Sequence, residues 1–325
     1  MRIGIAILAC WLILKDLDFA QFVATLKSLN VWIFFAALGA FIFGQCLIAF
    51  RWWIFLYAQK ISVPIFLSVK LTFLGTFFNN FMPSSVGGDL VRAWYISRHT
   101  DKKLQAALGV LADRMMGLMA TAILALSSYL IFMRGQEGLF QVDEQKSGIG
   151  DLLSKFQVSP YYVFLWGVIL VGILFVLSGF FDLKMVLGKL SGFIKHSFEQ
   201  AREVVLVYVH HPLVLIFGLS LTIFLQSLVI LSLWLIGSNL GISAQLRYYF
   251  VFFPMVWVIS AIPISIGGLG ILEGGVVLLF VQFTHADPDV VLAMALCQRL
   301  TWILASIPGL VVHLTGMHRL KASEC

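Results

Sequence analysis

Charge is what this sequence has least of. Only 12% of its 325 residues are Asp, Glu, Lys or Arg, about half the share that a soluble globular domain carries, which excludes a water-facing globule. Proline (8) and cysteine (4) are also sparse. Cys10, Cys46, Cys297 and Cys325 have no spacing that fits a metal site or a disulfide framework. There is no P-loop, dinucleotide fingerprint, nucleophile elbow or metal-binding motif. No catalytic residue, cofactor or metal is therefore expected.

What the sequence does have is apolar length. Hydrophobic residues make up 60% of it and the mean hydropathy is +0.97, so long uncharged runs are read as membrane spans. The expected fold is an all-α integral membrane protein with about six transmembrane helices and two broken, re-entrant helical hairpins in an inverted repeat. The spans fall at residues 3–14, 31–57, 104–133, 161–180, 212–236 and 290–314. The first is short and carries one preceding charge, Arg2; it is read as a span and not as a cleaved signal peptide. Two further apolar runs, 64–82 and 248–262, are broken by glycine and proline and resume at 89–98 and 269–283. A basic amphipathic stretch, 182–211, suits the interface with anionic lipid. Trp52, Trp53, Tyr57, Tyr161 and Tyr162 sit near the ends of runs, where amphipathic rings can lie at headgroup level.

The two breaks share a pattern. Pro83-Ser84-Ser85-Val86-Gly87-Gly88 and Pro263-Ile264-Ser265-Ile266-Gly267-Gly268 each follow an apolar run, and each precedes an arginine within a span, Asp113-Arg114 and Gln298-Arg299. This order reads as a diverged internal repeat over about 31–133 and 212–316, joined by a cytoplasmic linker at 182–211, within one membrane domain. If each broken run dips in and returns, three spans separate the copies, so they enter from opposite faces. Charge supports that count. With both termini cytoplasmic, Arg92, Arg98, Lys102 and Lys103 lie inside, while the loop 134–159, acidic on balance, and the segment around Asp287 and Asp289 lie outside. The expected location is the cytoplasmic (inner) membrane of a bacterium or archaeon. The net charge of +6 is then a matter of loops facing anionic lipid, and nucleic acid is not an expected partner.

A helix broken inside the bilayer bares N–H and C=O groups that lipid cannot satisfy, so it must be covered by protein or water. A half-helix starting after Gly-Gly aims its positive end inward, which suits a phosphate. The candidate binding residues at the breaks are Asn79, Asn80, Pro83, Ser84, Ser85, Gly87 and Gly88, with Pro263, Ser265, Gly267, Gly268 and Gly270 in the second copy. The competing explanation is close packing of helices through small residues. The ionisable candidates are Asp89, Arg92, Asp113, Arg114, Glu273 and Arg299. Each costs a few kcal/mol in hydrocarbon and needs a partner or water. Arg114 and Arg299 occupy equivalent places. They either grip a phosphate with two parallel hydrogen bonds or form structural pairs, Arg114 with Asp89 and Arg299 with Glu273. Arg51 is expected to snorkel to the inner interface, Lys70 to snorkel or line a cavity, and His313 to lie at an interface.

At these residues the chain resembles a known group. Phe78-Asn79-Asn80-Phe81-Met82-Pro83, Gly87-Gly88-Asp89-Leu90-Val91-Arg92-Ala93, Asp113-Arg114 and Gly267-Gly268-Leu269-Gly270 leading to Glu273-Gly274 look like the lysylphosphatidylglycerol synthase transmembrane-region family, also called the flippase-like domain family. The resemblance spans nearly the whole chain. In multiple peptide resistance factors such a domain flips aminoacylated phosphatidylglycerol, which a separate soluble domain makes, and some archaeal relatives are linked to polyprenyl-phosphate sugar work. The 325 residues leave no room for that soluble domain, so its synthase activity is not expected here. Many relatives carry Arg just before the glutamate; this chain has Leu272, a difference that bears on the ligand if that arginine helps to hold the headgroup. The resemblance implies a flippase for an anionic lipid, either a phosphatidylglycerol derivative or a polyprenyl phosphate. Two alternatives stay open: the membrane subunit of a polyprenyl-phosphate or lipid-modifying enzyme, and a scaffold that recruits a separate cytoplasmic synthase.

Overall fold

The computed structural model describes Thr25 and residues 27–82, 87–132, 211–260 and 269–316. The spans read at 3–14 and 161–180, the loop 134–159 and the linker 182–210 lie outside them. Among the described residues are eight helices of ten residues or more: α1 (Val31–Ala58), α2 (Ile65–Phe81), α3 (Gly87–Ile96), α4 (Lys103–Phe132), α5 (Pro212–Asn239), α6 (Leu246–Ser260), α7 (Ile271–Thr284) and α8 (Pro288–Leu314).

Length divides them. Helices α1, α4, α5 and α8 have 28, 30, 28 and 27 residues and are apolar enough to cross a membrane. At about 1.5 Å per residue each exceeds the roughly 30 Å hydrocarbon core. Helices α2, α6 and α7 are apolar but have only 17, 15 and 14 residues, or about 21–26 Å, too short to cross alone. Many large side chains point outward, among them Trp32, Phe66, Ile131 and Leu213. In water such a surface would drive aggregation, whereas lipid solvates it. The helix ends follow their sequence signals. Asn30 caps α1 by accepting from Trp32 N–H (2.9 Å), Pro212 and Pro288 occupy first-turn positions, and Asp287 caps α8 by accepting from Asp289 N–H (2.9 Å).

Helix α1 packs against α5, and the two run antiparallel. Asn30, at the start of α1, donates its backbone N–H to the Asn239 side chain at the end of α5 (2.7 Å), while Arg51, late in α1, meets Thr222, early in α5. The other contacts come in matched pairs. Helix α2 touches α8 as α6 touches α4; α1 touches α8 as α5 touches α4; and α1 touches α4 as α5 touches α8. Exchanging the first four helices for the last four leaves the contact pattern intact. One core gathers Trp52, Leu56, Leu71, Leu74, Ile96 and Val110 in the first four helices; a larger one gathers Tyr249, Phe252, Phe280 and Met294 in the second four, with Ala37 and Leu124 from the first.

Trp52 departs from expectation. It does not reach a headgroup layer: it is fully buried, with the Arg92 guanidinium 4.2 Å from its ring centre. The buried cation fixes the tryptophan inward, because the ring face is one of the few groups there that attract a positive charge.

Two glycines set the closest helix approaches. A Cβ on Gly88 would run into the Gly75 carbonyl, where α3 crosses α2, and a Cβ on Gly309 would run into the Phe73 backbone, where α8 crosses α2. Backbone cannot yield as a side chain can, so Gly88→Ala and Gly309→Ala are each expected to cost about 1–3 kcal/mol and to lower the unfolding temperature in detergent. Gly39→Ala, with nothing within 4 Å of its added methyl, should change it little; equal behaviour of the three would contradict this packing.

Candidate functional site

Among the described residues, seven ionisable side chains come together inside the bundle. Asp113, on α4 and only 3% exposed, is the centre. Its Oδ1 accepts from Arg51 Nε (2.9 Å) and lies 2.7 Å from Arg51 Nη2. Its Oδ2 faces Arg92 Nη2 at 3.3 Å. Arg92 also lies 3.6 Å from Asp89 Oδ1, and the other Asp89 oxygen pairs with Arg114. Five charges of alternating sign therefore link α1, α4 and α3: Arg51, Asp113, Arg92, Asp89 and Arg114. In the second half, Glu273 accepts from Arg299 Nε (2.6 Å) and, through its other oxygen, from Gly270 N–H (2.8 Å). Both structural pairs read from the sequence, Arg114 with Asp89 and Arg299 with Glu273, are present.

Local sequence explains how these groups reach one another. Gly75 has no side chain, so the aliphatic stem of Arg92 lies directly against α2. Gly218 likewise makes room on α5 for the Phe55 ring, and Thr222, bonded back to Gly218 O (2.6 Å), receives a hydrogen bond from Arg51. Asn79 accepts from Gly88 N–H (2.7 Å) and so satisfies a donor at the helix restart. Gly88 N–H and Gly270 N–H, two of the donors expected to face a ligand, are thus bonded within the protein. A buried carboxylate or amide already in place satisfies a helix N-terminus as an anion would.

These groups border a cavity of about 360 Å³. Arg51, Asp89, Asp113, Arg114 and Arg299 are on its wall, with Asn79, Asn80, Thr222, Gln226, Trp257 and Trp302. A smaller cavity of about 230 Å³ shares part of this wall and is bordered by Arg92. Gly87, Gly88, Gly270 and Glu273 border neither cavity: Gly87 and Gly88 serve close packing, Gly270 supplies the positive φ (82°) at the start of α7, and Glu273 stands behind Arg299. Pro83, Ser84, Ser85, Pro263, Ser265, Gly267 and Gly268 lie outside the described residues. Leu272 is on the larger wall.

Arg51 corrects the reading from sequence. It does not snorkel: it is 4% exposed and held by Asp113 and Thr222. It stands seven residues before the end of α1, about 10 Å deep, and a buried carboxylate and hydroxyl there outcompete the water at the interface. That depth signals only that Arg51 needs either a partner or a path to water, not which of the two it finds. Gln45, Gln226, Trp257 and Trp302 carried no comparable signal, since single amides and tryptophans are common in membrane helices. Lys70 is half-buried on α2 and borders neither cavity. His313 is exposed near the end of α8, with its ring against Phe78.

Helices long enough to span a bilayer, with ionisable groups gathered around an internal cavity, define an integral membrane protein. The chain belongs to the family described as Lysylphosphatidylglycerol synthase TM region, whose pattern it matches over residues 1–309, a membrane-protein family consistent with a lipid-related function. No curated protein matches it at a significant level.

Removing Asp113 would leave two buried guanidinium groups without their shared counter-ion. Asp113→Asn is expected to cost about 3–5 kcal/mol of stability, more than Asp89→Asn, whose side chain is less buried. Pairing Asp113→Asn with Arg51→Gln should restore part of the loss in detergent melting experiments; purely additive losses would contradict the linkage.

Proposed function

We propose that the protein translocates an anionic, phosphate-bearing lipid across the cytoplasmic membrane, with the arginine-lined cavity receiving the headgroup. The observation that carries this reading is the charge balance of the site. Four guanidinium groups, Arg51, Arg92, Arg114 and Arg299, meet three carboxylates, Asp89, Asp113 and Glu273. Buried ions survive in a bilayer only when paired, and among the described residues of the site the arginines outnumber the carboxylates by one. A lipid phosphate brings negative charge to this arginine-rich wall, and arginine forks match its geometry.

Transport also accords with the matched contacts. Antiparallel α1 and α5, and contacts that survive exchange of the halves, are what an inverted repeat produces, with its twofold axis in the membrane plane. In this reading Arg114 and Arg299 are counterparts facing one cavity. Rocking of one half against the other exposes the cavity to each side in turn, with both termini cytoplasmic. Asp89 and Glu273 hold the two guanidiniums while the site is empty and yield them to the headgroup. No residue takes a catalytic role.

The test is headgroup-labelled lipid scrambling in proteoliposomes, with phosphatidylglycerol, its lysyl ester and undecaprenyl phosphate. Wild type should move at least one of them. Arg114→Ala and Arg299→Ala should each slow that movement at least tenfold, the loss of a charge-assisted contact of about 1.5–3 kcal/mol. Folded protein that moves none of the three overturns the proposal in favour of an enzyme subunit or scaffold.

A further inference from the structure

The smaller cavity has a different chemical character from the larger one. The two share Phe41, Gln45, Asn79, Asn80, Trp257 and Trp302, so they are compartments of one space. The smaller adds Thr72, Gly75, Thr76 and Arg92. Its polar groups are mostly neutral amides and hydroxyls, and no carboxylate is among its described lining residues. Aromatic rings form one side: Phe41 stacks on Trp302 at 6.0 Å between centroids, and Trp257 tilts against the same ring at 5.2 Å.

Several buried polar atoms here are unused. Thr72 Oγ1, Arg92 Nε and Trp302 Nε1 have no hydrogen-bond partner among the described residues. Leaving a buried donor or acceptor unsatisfied is costly, and a ligand hydroxyl that such a side chain turns to meet offsets that cost. Thr76 donates to Gln45 Oε1 (2.9 Å), which groups a hydroxyl and an amide on one wall. An aromatic platform bordered by amides and hydroxyls suits a molecule with C–H faces and many hydroxyls.

We propose that the smaller cavity is a subsite for an uncharged, hydroxyl-rich headgroup, a glycerol or a hexose, joined to the phosphate that the arginines hold. This rests on the reading of the larger cavity as a phosphate site. A lysyl headgroup does not suit the smaller compartment, because its ammonium would lie beside Arg92 with no carboxylate among the described lining residues. The carboxylates of the larger wall, Asp89 and Asp113, are engaged by arginines.

Native mass spectrometry of the full chain, with competing lipids, reads this preference without requiring transport. One pair is phosphatidylglycerol against phosphatidic acid; the other is a hexosyl-phosphoryl polyprenol against the bare polyprenyl phosphate; the lysyl ester of phosphatidylglycerol is the cationic competitor. The hydroxyl-bearing member should win at least one pair and should outcompete the lysyl ester. The pair with the larger preference tells glycerol from hexose. Thr72→Val, which keeps shape and removes a hydroxyl, and Trp302→Phe, which keeps an aromatic face but removes the N–H and part of the ring, should each shrink that preference roughly three- to tenfold. Equal binding within both pairs, or strongest binding of the lysyl ester, overturns the subsite. If wild type scrambles anionic lipids without any such preference, the subsite fails and translocation stands. If it binds the hydroxyl-bearing lipid selectively but moves none, translocation fails and the subsite stands.

Discussion

The pairing of Asp113 with Arg51 and Arg92 is the interaction on which the rest of the site depends. A single carboxylate, held on α4, joins guanidinium groups from α1 and α3. Any of the three alone would be expelled from a low-dielectric interior; together they are tolerated because each satisfies the others. The pairing sets the position of the late half of α1 and draws the short helix α3 under it. It also leaves Arg92 beneath Trp52 and between the two carboxylates. Arg114, the next residue along α4, is thereby aimed at Asp89 and at the cavity.

The second half achieves a similar end with fewer charges. Where α4 carries Asp113-Arg114, α8 carries Gln298-Arg299. Gln298 is buried and neutral, and Arg299 relies on Glu273 from α7. The charge network is therefore concentrated in the first four helices, while the aromatic core is concentrated in the second four. A cavity between halves of such different character has a cationic side and an aromatic side. That division suits a ligand with a charged group and an uncharged one.

Much of the architecture was legible in the sequence because hydrocarbon imposes simple rules. Each apolar run expected within the described residues became a helix, with ends within a few residues of the expected ones, as at α1 (Val31–Ala58) and α4 (Lys103–Phe132). The ion pairs of Arg114 and Arg299 were legible too, since a buried arginine needs a carboxylate and few are available. The fate of Arg51 was not: distance from a helix end does not reveal what the neighbouring helices offer, and its partners lie 62 and 171 residues away. Trp52 was misjudged for the same reason, because an interfacial ring and a cation-bearing buried ring look alike in sequence. The bonding of Gly88 N–H to Asn79 is a tertiary detail that composition cannot carry.

In the proposed function the buried arginines converge on a lipid phosphate. The most direct measurement is the structure of the protein in nanodiscs containing phosphatidylglycerol, at a resolution that shows headgroup density. The expected result is a phosphate in the larger cavity, within hydrogen-bond distance of Arg114 and Arg299, with at least one of their carboxylate pairs opened. An empty cavity with both pairs closed and lipid confined to the outer faces of the helices would contradict it.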